Sequence, residues 1–194
     1  MYSNSVNVSE KLLCNKKNIN LLLCQSESGI KKYRLNFNIS NHKISINKFI
    51  NNNLFELICK LNTDIIDSYE IYDKNTNSCK IFILFKKFGA DLGIKQKYSY
   101  FESQIIQNNN NYVIKTTVLK CPSTLIPYPN INYECLDYNS SFININIIND
   151  HSCMIDYIFD TFNTSIELPV YMENMFGMLT KKLFLRLKQF IENI

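Results

Sequence analysis

The sequence predicts an α+β fold in a single domain, a highly curved antiparallel sheet gripping a long C-terminal helix. Three observations carry this. Segments in the middle of the chain alternate apolar and polar residues, as strands with one dry and one wet face do. Pro169 stops the alternation. From 170 to 194, apolar residues return at three- and four-residue steps, the period of an amphipathic helix. The 194 residues, 46% hydrophobic, suffice for one substantial core, and no linker rich in Pro, Gly or Ser divides them.

Taken in order, a short N-terminal helix is expected over residues 9–14, and Gly29 marks a turn. Tyr33, Leu35, Phe37 and Ile39 then face one way while Arg34, Asn36 and Asn38 face the other, and a second strand is expected over 43–46. Leu54, Phe55, Ile58 and Leu61 share one face of a helix over 53–61, and the asparagines before it can supply an N-cap oxygen. Strands are expected over 69–73, 80–86, 97–106 and 112–120, with a short one near 132–136; Gly89 and Gly93 make 87–94 a loop. Ile143, Ile145 and Ile147 alternate with Asn144 and Asn146, and Cys153, Ile155, Tyr157 and Phe159 repeat the pattern. In the closing helix Met172, Met175, Phe176, Leu179, Leu183, Leu187, Phe190 and Ile191 form the apolar stripe, with Lys181, Lys182, Arg186 and Lys188 mostly off it.

Composition excludes more than it assigns. The net charge is +4 and mixed along the chain, and only Arg34 and Arg186 are arginine, so no nucleic-acid partner is expected. Asn and Ile together exceed a quarter of the chain, the bias of an AT-rich genome; runs such as Asn51-Asn52-Asn53 read as loop padding. The first residues lack a secretory pattern and no window is long and apolar enough to cross a bilayer, so a cytoplasmic protein is expected. Seven scattered cysteines, odd in number, read as free thiols. His42 and His151 are isolated from any nucleophile or second ligand, the four glycines make no phosphate cradle, and the acidic pairs suit turns and caps. No catalytic residue, metal site or cofactor is expected.

With this order of elements the chain resembles the START family, the lipid-transfer domains related to the steroidogenic acute regulatory protein, within the helix-grip superfamily. The resemblance spans roughly residues 11–191. Gly29-Ile30-Lys31-Lys32-Tyr33-Arg34 is similar to the family's first strand, which opens with a glycine, an aliphatic residue and an aromatic. Asn53-Leu54-Phe55-Glu56-Leu57-Ile58 is similar to the helix after the third strand, Ile66-Asp67 stands where the family commonly has Trp-Asp, and Tyr69 begins the next strand. Pro169 resembles the proline leading into the gripping helix. The family's basic-acidic pair after the long loop is Gln96-Lys97 here, so the contacts attributed to that pair are not carried over.

The resemblance implies a non-catalytic carrier with a hydrophobic cavity between the sheet and the last helix, holding one lipid. Met172, Met175, Phe176, Leu179 and Leu183 are then the expected apolar lining, methionine's flexible thioether suiting irregular ligands. Tyr98, Tyr100 and Tyr133 are expected to place hydroxyls in the cavity. Lys86, Lys87 and Phe88, with Lys95 and Lys97 beyond the loop, are expected to touch a membrane surface transiently. The alternative is a structural or protein-interaction module whose core is filled by side chains; a helix-grip enzyme of the cyclase type ranks last. Oligomeric state is not legible.

Overall fold

The computed structural model describes residues 8–26, 31–87, 95–126, 133–136, 140–160 and 170–194; along the last helix the side chains are described from Asn174 onward, apart from Phe176. β1 (Val8–Lys16) and β2 (Ile19–Ser26) form a hairpin, followed by β3 (Lys31–Ser40), a short 3-10 turn (Ile46–Phe49) and α1 (Leu54–Leu61). β4 (Ile66–Tyr72), β5 (Ser78–Phe85), β6 (Lys97–Asn108) and β7 (Asn111–Val118) follow, then the two-residue β8 (Glu134–Cys135), β9 (Ser140–Asn149), β10 (Ser152–Asp160) and α2 (Val170–Asn193).

These strands make one open sheet in the order β1-β2-β3-β10-β9-β7-β6-β5-β4, antiparallel along its length, with β8 pairing parallel to β6. The alternating residues fall into register across it. Ile19, Phe37, Ile155 and Ile145 stand side by side, as do Leu21, Leu35, Tyr157 and Ile143, so period-two patterns on separate strands add up to one continuous apolar face. Phe184, Leu187 and Ile191 of α2 seal that inner face, joined by Leu54 and Ile58 of α1. At Gly177 the helix approaches so closely that a Cβ there would sit 3.0 Å from Tyr33 Cε1 and 3.3 Å from Leu21 Cδ2. Glycine is what lets backbone and ring meet.

The far end of α2 is tied down by polar contacts. Asn41, buried, donates from Nδ2 to the Ile191 carbonyl at 2.5 Å while its Oδ1 accepts from the Lys43 and Ile44 amides at 2.7 and 3.1 Å. Lys188 donates to the Asn38 carbonyl at 2.6 Å and pairs with Glu192. Asn62, fully buried at the end of α1, donates to the Ile58 carbonyl and accepts from Arg186, which also grips Asp64 through both guanidinium nitrogens.

Several expectations are corrected. Residues 9–14 are strand β1, paired along its length with β2 through a two-residue turn in which Lys17 and Asn18 take φ of 55° and 58°. A turn of that kind is normally signalled by glycine, and this one has none. The expected strand over 43–46 is absent: Ile46 starts the 3-10 turn, its amide donating to the Asp150 carbonyl at 2.8 Å. The Asn51-Asn52-Asn53 run is not padding, because Asn52 is buried and its amide bonds the Asn75 carbonyl. Asn53 takes the N-cap position without a side-chain cap bond; its Oδ1 accepts instead from Lys74. On α2 the stripe is rotated from its expected place. Lys181 and Lys188 are buried, whereas Phe190 and Met175 are 38% and 39% exposed. Long lysine stems cover apolar surface as well as an aliphatic residue does when the ammonium finds an acceptor. The calls on Gly29, Gly89, Gly93 and Pro169 lie outside the described residues.

Candidate functional site

Between α2, α1 and the inner face of the sheet lies a cavity of about 150 Å³. Native interiors hold few voids larger than a water molecule, so one of this size in the middle of the fold is a feature to explain. α1 contributes Phe55, whose ring meets Phe101 of β6 edge-on at 5.4 Å, and Ile58. β5 contributes Ile83 and Phe85, and α2 contributes Leu179, Leu183 and Phe184. Alternation along β6 places Lys97, Ser99 and Phe101 on the cavity side. The lining is overwhelmingly apolar, with its few polar groups on neighbouring strands and, as Thr180, on α2.

Those groups have a definite arrangement. The β7–β9 register sets Thr116 opposite Ser141, and their hydroxyls share a hydrogen bond at 2.7 Å. Tyr157, from β10, brings its hydroxyl to Ser141 and its ring against Phe159 and Phe184, with centroids 4.9 and 4.8 Å apart. Burial pushes the Tyr157 phenol up to about 12, so it carries its proton throughout the neutral range. Its remaining accessible surface is part of the cavity wall. Lys97 also lines the cavity, its ammonium paired with Glu134 where β8 runs beside β6. The basic residue that the sequence placed at the start of this strand therefore has an acidic partner, from a segment far along the chain.

Of the residues expected at the site, Leu179 and Leu183 line the cavity. Met175 does not; it borders a shallow groove between α2 and β1 with Met178, Cys14 and Lys181. The side chains of Met172 and Phe176 lie outside the description. Tyr98 and Tyr100 are corrected outright. They sit one residue out of phase with Lys97, Ser99 and Phe101, and with Tyr133 they pack a separate cluster around Phe82 and Leu84 on the other face of the sheet. A period-two strand cannot present Phe101 and Tyr100 to the same side. Lys86 and Lys87 are exposed at the end of β5; Phe88 is outside the described residues. Thr116 and Ser141 were missed, because a hydroxyl in a strand gives no sign of which face it is on; Tyr157 was placed on the apolar face of its strand but not at a cavity.

The seven cysteines are free thiols, and burial pushes Cys59 and Cys153 up to about 12, which keeps both protonated. His151 accepts or donates at Nδ1 to the Asn41 and Ile44 carbonyls, 2.9 and 3.3 Å away, which makes it part of the anchor at the end of α2. Among the described residues no cluster of acidic, cysteine and histidine side chains suits a metal, and no helix is long and apolar enough to cross a membrane.

An open antiparallel sheet folded over a long C-terminal helix, with a cavity between them, defines a helix-grip α+β architecture. The particular version is START-like, as comparison with solved structures shows. The lipid transfer and protein localization domain of human StarD13 (DLC2) superposes with a TM-score of 0.74 at 7% identity, covering 96% of this chain and 90% of that one. Human STARD10 gives 0.68 at 12% identity over 94% and 72% of the two chains. A STAR-related lipid transfer protein from Xanthomonas axonopodis gives 0.65 at 8% over 94% and 98%. No family model and no curated protein sequence matches this chain. At such identities it is the fold that is shared.

Proposed function

We propose that this protein is a non-catalytic lipid-binding domain of the cytoplasm, holding one apolar ligand between α2 and the inner face of the sheet and passing it between membranes. The observation that carries the reading is the apolar cavity of about 150 Å³ in a START-like fold, lined by Leu179 and Leu183 from the helix that closes it. Apolar burial supplies the affinity, and few polar groups are asked to contribute. A cavity of this size matches a slender apolar segment, below the roughly 300–1,000 Å³ of sites that take drug-sized ligands. A bulkier ligand is admitted by movement of α2. Among the described residues the polar anchors Asn41, Asn62 and Asp64 all hold the second half of that helix, whereas the first half rests on apolar packing of Gly177 against Tyr33 and exposes Met175 and Met178, which favours movement at that end. Lys86, Lys87 and Lys95 give the neighbouring surface a positive edge suited to anionic lipid.

Transfer of a fluorescent lipid from donor to acceptor vesicles tests the proposal. The protein is expected to accelerate transfer over the spontaneous rate in proportion to its concentration. An unchanged rate across a panel of phospholipid, sterol and acylglycerol probes would count against it.

A further inference from the structure

Two lysines of α2 are buried, and their ammonium groups meet different surroundings. Lys188 donates to the Asn38 carbonyl and pairs with the Glu192 carboxylate. Lys181 is 4% exposed, and among the described residues its Nζ has one partner, the Cys14 sulfur at 3.0 Å. Sulfur is a weak acceptor. Burying a cation is costly unless an anion compensates it, and no described carboxylate does so for Lys181. Cys14 and Lys181 both line the groove between α2 and β1.

That groove has a volume of about 340 Å³, at the lower end of the roughly 300–1,000 Å³ typical of small-molecule sites. Met175, Met178 and Leu185 make its wall apolar, and methionine adapts its shape to irregular partners. Its described lining holds no acidic residue. Lys182 is already paired with Asp64, whereas Lys16, on the β1 side, is exposed and has no ion pair among the described residues. An apolar wall beside one uncompensated buried ammonium is complementary to an alkyl chain that ends in a single negative charge. We infer that this groove is a second ligand site, which takes a long-chain carboxylate with its chain along Met175, Met178 and Leu185 and its charge on Lys181. Lys16 stands at the mouth. A phosphate monoester brings up to two charges to that one buried cation. A flat membrane surface reaches Lys16 but not an ammonium so deeply set. The site is distinct from the inner cavity, with Leu179 alone among the described residues bordering both. Because the groove is open, its occupant exchanges with solution and is read by titration rather than by co-purification.

The test titrates protein carrying isotopically methyl-labelled methionine with decanoate, decanol, decyl phosphate and decyltrimethylammonium, each below its micelle concentration. The Met175 and Met178 methyl resonances, assigned with Met175→Leu and Met178→Leu, are the readout, since both residues line the groove and neither lines the inner cavity. Decanoate is expected to shift both resonances and to bind at least about tenfold more tightly than decanol or the ammonium probe. In Lys181→Met, which removes the charge and keeps a long apolar side chain, decanoate is expected to weaken at least about tenfold while decanol changes less than about twofold. If that variant fails to fold, the ranking of the four probes on the wild-type protein decides. Decanol binding as tightly as decanoate, or decyl phosphate or the ammonium probe binding more tightly, overturns the carboxylate site. Shifts caused by phosphatidylglycerol vesicles and not by decanoate also overturn it, because the groove is then a membrane contact. Each of these outcomes leaves the lipid-binding reading of the inner cavity standing.

Discussion

Filling the cavity with protein is the perturbation whose size follows most directly from the structure. Empty space in a core costs about 24 cal/mol per Å³, so about 150 Å³ corresponds to about 4 kcal/mol of stability forgone by the unliganded protein. Leu179 and Leu183 both point into that space from α2. Replacing each by Phe adds three carbons, worth up to about 2 kcal/mol apiece at ~0.8 kcal/mol per buried methylene. Overpacking strain of ~1–3 kcal/mol offsets part of this. The double variant Leu179→Phe/Leu183→Phe is therefore expected to gain about 2 kcal/mol, a melting temperature roughly 4–8 °C higher for a domain of this size. Delipidated wild type and variant are compared by differential scanning calorimetry, and lipid capture by extraction after incubation with vesicles. The variant should melt higher and capture less. A variant that melts lower and captures as much lipid as wild type would refute both the space and its role.

Other predictions follow from other parts of the molecule. Gly177→Ala should lose about 1 kcal/mol in urea unfolding despite alanine's ~1 kcal/mol helix advantage, because Tyr33 is 1% exposed, stacked on Phe159 and unable to yield; unchanged or higher stability contradicts the close approach. Arg186 and Lys182 hold the Asp64 carboxyl well below the usual carboxylate range. Its contribution is therefore complete above about pH 4 and fades as the pH falls further. At roughly half exposure it amounts to at most ~1 kcal/mol. Asp64→Asn should lower stability at pH 7 by clearly more than it does near pH 2, as read by thermal melts across pH; an equal loss at both ends contradicts the ion-pair account. Tyr98→Phe and Tyr100→Phe should leave ligand affinity within about twofold of wild type, since both tyrosines lie on the far face; a larger loss in a dye-displacement titration places them at the site after all. Lys86→Glu/Lys87→Glu should reduce sedimentation with anionic vesicles while leaving ligand affinity alone; undiminished sedimentation removes these lysines from the membrane contact.

The parts of this fold that were legible in the sequence share a feature, which is strict periodicity. Tyr33 to Ile39, Ile143 to Ile147 and Cys153 to Phe159 alternate because one face of each strand is sealed, and they turned out to be neighbours in the sheet. The closing helix was equally plain, and with it Leu179 and Leu183. What was hidden depends on partners far away in the chain. The β1–β2 hairpin carries no glycine at Lys17 and Asn18, so its turn gave no sign. The face of β6 turned inward depends on which register the strand keeps with β5 and β7, and nothing between Lys97 and Phe101 distinguishes a wall of Lys, Ser and Phe from one of Tyr and Tyr. The cavity-facing hydroxyls of Ser99, Thr116, Ser141, Tyr157 and Thr180 come from four strands and α2, and only the assembled fold brings them together. Buried Lys181 and Lys188 defeated the stripe for a related reason: Cys14 and Asn38, which accept from them, are more than a hundred residues away.

The central claim is that the space behind α2 holds a ligand, and native mass spectrometry of the purified protein, followed by organic extraction, tests it most directly. The account predicts one hydrophobic molecule bound per chain and displaced from the Leu179→Phe/Leu183→Phe variant. A protein that stays at its bare mass after incubation with mixed lipid vesicles, or one whose bound lipid survives the filling of the cavity, contradicts it.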